Sequence, residues 1–159
     1  MGMDIEPDKL DIDEKIEAFI LELGFPFDRV DDNLWLVHDD IDYIENIVIY
    51  HNPPVLTFRI KVMEAPEEEV RPALYKQLLQ LNASSMVAGA FGLEDEDVVL
   101  IESLQSETMT QSEFQAAFDS LTLAVREHYS DLKSFLRSGD EDDSTDDEEG
   151  TPVGAADSN

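Results

Sequence analysis

The stretch Leu81–Phe114, LNASSMVAGAFGLEDEDVVLIESLQSETMTQSEF, compresses a helix exit, a glycine-spaced strand, an acidic turn, a second strand and a helix start into one cassette. MVAGAFGL and DVVLIESL are apolar, β-branched runs on either side of EDED, so the spacing predicts a hairpin whose charged loop also discourages edge pairing. Gly89 and Gly92 fall inside or at the end of a strand, where glycine marks a bulge or a close backbone approach rather than a phosphate cradle. Thr110 and Glu113 have capping-box spacing, and Met109 and Phe114 stand where a hydrophobic staple needs them. A helix therefore starts there. Phe114, Phe118, Leu121, Val125, Leu132 and Phe135 carry its apolar stripe toward Arg137.

The chain before the cassette reads in the same terms. Ile12, Ile16, Phe19, Ile20 and Leu23 recur at helical spacing, with Asp11 as cap and Gly24 where a left-handed C-terminal residue belongs. NLWLVHDD predicts a short strand, and NIVIYHNPPVLTFRIKVM two more around Asn52-Pro53-Pro54. The last of these alternates, with Leu56, Phe58, Ile60 and Val62 on one face and Thr57, Arg59 and Lys61 on the other, so one sheet face is covered and the other wetter. PALYKQLLQLNA predicts a second helix with Leu74, Leu78 and Leu81 on one stripe and Pro72 in its first turn. The expected fold class is α+β, in the order α-β-β-β-α-β-β-α, an antiparallel five-stranded sheet with helices packed mainly on one face.

Charge separates this domain from its ends. The chain carries 38 acidic and 10 basic residues, net −28, so a phosphate backbone is repelled and no nucleic-acid partner is expected. From Gly139 onward there are nine acidic residues, no Lys or Arg, and only Val153 as a large aliphatic. Such a segment buries too little to offset its ordering entropy. The expectation is a flexible N-terminus over residues 1–10, a folded domain over 11–137 and a disordered acidic tail over 138–159. The absence of cysteine excludes disulfides, thiolate zinc and thiol nucleophiles. No window approaches the roughly 18 apolar residues of a membrane span, and the N-terminus lacks a secretory pattern, so no membrane partner and a cytoplasmic location are expected.

Catalytic patterns are missing. His38, His51 and His128 fall on separate elements without the i, i+4 pairing or HExxH arrangement of a zinc hydrolase, and the acidic runs lack the glycine bend and final Glu of a calcium loop. Ser84-Ser85 has no nucleophile-elbow context, and Gly89-x-x-Gly92 lacks the rest of a dinucleotide fingerprint. The chain is expected not to be an enzyme, with no cofactor, metal or catalytic residue. Trp35, the single tryptophan, is expected in the core rather than on a partner surface.

ELGF closing the first helix, VDDNLWLV, LLQLNA, GAFGLEDEDVVLIESL and REHYSDL in the last helix together resemble the YbjN family, whose fold is similar to that of class I type III secretion chaperones of the Tir-chaperone kind. The resemblance spans about Ile12 to Leu136. It implies a non-enzymatic module that binds another protein, with Ile16, Phe19, Ile20, Leu34 and Leu36 as groove candidates for an extended apolar segment. It also implies a candidate homodimer through Leu74, Leu78 and Met86. YbjN relatives are described chiefly as regulators of stress or sensory responses, which gives the alternative of a regulatory domain whose acidic surface meets a basic partner. The long acidic tail departs from the compact chaperones.

Overall fold

The computed structural model describes the backbone of residues 7–39, 44 and 46–156, and the side chains of 12–39, 44 and 46–136. Of the N-terminus expected to be flexible over 1–10 and the tail expected to be disordered over 138–159, the backbone of 7–10 belongs to α1 and that of 138–156 to α3, while residues 1–6 and 157–159 and the side chains of both segments lie outside those described. The elements are α1 (Pro7–Leu23), β1 (Phe27–Asp31), β2 (Leu34–Val37), β3 (Ile47–Asn52), β4 (Val55–Glu64), α2 (Arg71–Ser84), β5 (Ala90–Glu94), β6 (Asp97–Gln105) and α3 (Gln111–Ala156). The six strands form one antiparallel sheet in the order β1-β2-β3-β4-β6-β5.

Two sequence expectations are corrected. The sheet has six strands rather than five, because Phe27–Asp31 pairs with β2 as an added edge strand. Its apolar alternation fails: Asp28, Arg29 and Asp31 dominate it, and the register shifts between Arg29 and Asp31. α1 also begins at Pro7 rather than Ile12. Proline's fixed φ suits a first helical position, where its missing N–H costs no helical bond.

One apolar layer organises everything else. Ile16 and Ile20 of α1, Leu74 and Leu78 of α2, and Phe114, Phe118, Leu121 and Val125 of α3 share a core with Trp35, Ile49, Phe58, Ile60 and Leu100 of the sheet. Phe114 joins three elements: its ring centroid lies 5.4 Å from that of Phe19 and 5.0 Å from that of Phe58. Aromatic pairs at these separations add to the area they bury. Trp35 is fully buried, as its strand position predicts.

The cassette folds as its residues dictate. The Thr110 N–H donates to Glu113 Oε1 at 3.0 Å and the Glu113 N–H to Thr110 Oγ1 at 3.1 Å, completing the capping box. Met109 and Phe114 are both buried beside it. Glu94 and Asp97 pair as strand residues, leaving Asp95 and Glu96 as the turn, with Asp95 at φ 55°. Gly89 has φ +78°, and a Cβ there would lie 2.9 Å from the Ile101 carbonyl oxygen and 3.0 Å from Leu121 Cδ2. Only glycine fits that approach.

Candidate partner-binding surfaces

Because paired residues point to the same side of a sheet, the core residues of the strands all lie on one face and their alternates on the other. On that open face Leu36 pairs with Val48, Val48 with Arg59, Arg59 with Ile101, and Ile101 with Ala90. A second row runs Leu34, Tyr50, Thr57, Ser103. Leu34, Leu36 and Val48 are half-buried, while Tyr50 and Ile101 are exposed. The result is an apolar patch of Leu34, Leu36, Val48 and Tyr50 on β2 and β3, separated from Ile101 of β6 by Thr57 and Arg59 of β4, that does not belong to the helix-covered core.

Charge crosses and borders this face. Arg59 is ion-paired to Glu94 of β5. Lys61 Nζ lies 3.5 Å from both Glu64 and Asp97, and Arg71 of α2 lies 3.2 Å from Glu96. Three cations thus hold the acidic hairpin. Slight desolvation of the Lys61 ammonium works against its charge, but the carboxylates of Asp97 and Glu64 outweigh it and raise its pKa above the ordinary lysine value.

The two outer strands differ. At β5, Asn82 of α2 accepts from the Phe91 N–H at 2.8 Å and donates to the Phe91 carbonyl at 3.1 Å, occupying the outward backbone groups with a side-chain amide. At β1 no strand lies outside among the described residues. There Arg29 stacks on Trp35 at 4.9 Å and reaches Asp13 and Glu17 of α1 at 3.4 and 3.3 Å, while the Trp35 indole donates to Glu17 at 3.0 Å. His51, buried next to this group, has Nδ1 3.6 Å from Asp13 Oδ1 and a Nε2 without a hydrogen-bond partner among the described residues.

The residues singled out from the sequence divide among these places. Ile16 and Ile20 are core, Phe19 is half-buried against Phe114, and Leu34 and Leu36 lie on the open face, so the five do not form one surface. Leu74 and Leu78 are core, and Met86 is half-buried beyond the end of α2. The exposed apolar residue of α2 is Leu79, 69% exposed. Sequence periodicity missed it because it sits directly beside the core stripe, and missed Val48, Tyr50 and Ile101 because their face is fixed by strand register. Among the described residues no group of three His, Asp or Glu side chains is placed to hold a metal ion, and no helix is long and apolar enough to cross a membrane.

Comparison with known proteins agrees with this architecture. A chain of the heterodimeric ExoU–SpcU complex from the type III secretion system of Pseudomonas aeruginosa is similar with a TM-score of 0.58 and 18% identity, covering 76% of this chain and 97% of that one. YbjN from E. coli gives 0.57 and 15%, covering 74% and 90%. A chain of the ExsC–ExsE complex gives 0.58 and 16%, covering 75% and 94%. At these identities the likeness is one of fold. No curated protein matches the chain significantly. The CesT_Tir_1 family profile, however, matches residues 10–138, most of the sequence, and the chain accordingly belongs to this type III chaperone family.

Proposed function

We propose that the chain is a non-enzymatic protein-binding module, a secretion chaperone or adaptor that holds an apolar segment of another protein in extended form. The observation that carries this reading is the half-exposed patch of Leu34, Leu36, Val48 and Tyr50 on the sheet face opposite the core. Contiguous apolar surface of this kind is a mark of partner binding. The edge of β1 lies alongside it and offers unpaired backbone to an extended segment. Family membership supports the class of partner, as do solved relatives in complexes such as HopA1–SchA, described as a chaperone–effector complex. The net charge of −28 keeps the loaded form soluble.

A second reading, a regulatory domain whose acidic surface meets a basic protein, is favoured by that same charge. Salt separates the two, because exposed charge pairs are screened over about 8 Å at physiological ionic strength and apolar burial is not. A partner is isolated by pull-down and identified by mass spectrometry, then its binding is measured at low and high salt with Leu36→Asp as the variant. Retention at high salt together with loss in Leu36→Asp supports the apolar reading. Release by salt with Leu36→Asp unaffected establishes the regulatory one.

A further inference from the structure

A second apolar recess lies away from the core, between the segment that leaves α2 and the outer side of α3. It encloses about 270 Å³, with Met86 and Val87 as one wall and Ala116, Ser120 and Ala124 as its floor. Val87 is 90% exposed and Leu123 47% exposed, so each lip presents a large aliphatic side chain to solvent. The volume falls just below the roughly 300–1,000 Å³ of small-molecule pockets, which suits one or two side chains of a peptide rather than a cofactor.

Packed segments bound the recess at both ends. The wall runs directly into Gly89, where even a Cβ would collide with the Ile101 carbonyl oxygen and Leu121. At the far end, the ring of His128 meets Phe91 edge-on at 6.3 Å.

Its charge identifies the occupant. Asp119 and Glu127 both line the recess, eight residues apart on α3, or about 12 Å at the helical rise, so they stand on either side of Leu123. Asp119 accepts only the neutral amide of Gln115, at 3.1 and 3.2 Å, and the nearest cationic candidate to Glu127 is His128 Nε2 at 3.9 Å. Among the described residues neither carboxylate has a Lys or Arg partner. At the β5–β6 turn, by contrast, Glu94, Asp97 and Glu96 are matched by Arg59, Lys61 and Arg71. Here the matching cations are missing.

We propose that this recess docks a peptide segment of another protein in which an aliphatic or aromatic anchor is flanked on both sides by Lys or Arg. The anchor fills the space over Ala116, Ser120 and Ala124, and the flanking cations reach Asp119 and Glu127. The site is distinct from the open sheet face and does not depend on it.

The test uses the full chain and three synthetic peptides with a central Leu-Phe pair flanked by Lys, Gln or Glu, followed by amide NMR shifts. The Lys-flanked peptide is expected to shift Val87, Leu123 and Ala124. Asp119→Asn with Glu127→Gln is expected to weaken it about three- to tenfold at low salt, as exposed ion pairs allow. Ala116→Trp, on an exposed position, fills the recess and abolishes the shifts, while Leu36→Asp on the open face leaves them intact. Equal shifts from all three peptides, no shift from any, or shifts that survive Ala116→Trp overturn the proposal. Sedimentation of Ala116→Trp decides against a second copy: conversion of a dimer to monomer would assign the recess to self-association and overturn it as well. The charge variant alters only exposed side chains, so it remains informative if Ala116→Trp fails to fold.

Discussion

The two outer strands of the sheet meet the same hazard by different means. An edge strand presents unpaired backbone to any extended chain. β5 removes the opportunity physically: Asn82 occupies the Phe91 N–H and carbonyl, and α2 lies against the strand. β1 has no outer strand among the described residues and relies on a register shift and the charges of Asp28, Arg29 and Asp31. A plug excludes every strand alike, whereas a charged, irregular edge discriminates among strands. Placing the second device beside the apolar patch leaves access selective where a partner is proposed to bind.

Each side of this contrast breaks at identifiable residues. The largest effect is expected from Gly89→Ala, which combines the left-handed φ with a Cβ driven against the Ile101 carbonyl. Together these cost about 3 kcal/mol, read as a lowered denaturant midpoint with unchanged slope. An unchanged midpoint would mean that the entry to β5 is not held as described.

Asn82→Ala comes next, at about 2 kcal/mol, because two backbone groups lose their partners at once. Opening the plugged edge should also produce concentration-dependent association in sedimentation, which the wild type lacks at that edge. Asn82→Asp sharpens the point: it keeps the acceptor for the Phe91 N–H but places a carboxylate against the Phe91 carbonyl, so its loss of stability should match or exceed that of Ala.

At the other edge Arg29→Met should cost about 1 kcal/mol or less. The arginine's pairs with Asp13 and Glu17 are partly exposed, although its stacking on Trp35 is in part preserved by the methionine. The relevant readout is hydrogen exchange at β1, where faster exchange confined to Phe27–Asp31 would show that α1 and β1 are fastened through this side chain.

The smallest effect is a pH dependence. The Lys61 pKa is raised in the folded chain, so its contribution is complete below the ordinary lysine value and fades as pH climbs through the higher folded one. The midpoint difference between wild type and Lys61→Met should therefore hold through neutral pH and shrink in strongly alkaline solution. A difference independent of pH would assign it to packing of the lysine stem.

Much of this architecture was legible in the residues, and the gaps have physical causes. The capping box at Thr110 and Glu113, the alternation from Leu56 to Ile60 and the stripe of Leu74, Leu78 and Leu81 are local patterns, and each appears in the fold. β1 was not visible because its pairing is organised by Arg29 over Trp35, a contact between strands that alternation does not encode. The alternation in β4 runs through Val62, and the register shift between Lys61 and Met63 then turns Met63 toward the core as well. Surface was harder to read than core. A helical stripe such as Ile16 and Ile20 is the same whether another helix covers it or a groove exposes it, and here it is covered. The recess over Ala124 brings together segments on either side of the β5–β6 hairpin, a separation over which neither period carries information.

Asn82 has one more consequence, and it concerns arithmetic of assembly rather than stability. Open-ended growth by strand exchange needs two complementary edges on every copy, one to give and one to receive. A chain with a single available edge cannot propagate: added to a second chain through β1, it closes at two members or ends with one borrowed strand. A side chain on a helix thereby sets an upper limit on how many molecules the sheet can recruit, and keeps an acceptor of extended segments from becoming the seed of a fibre.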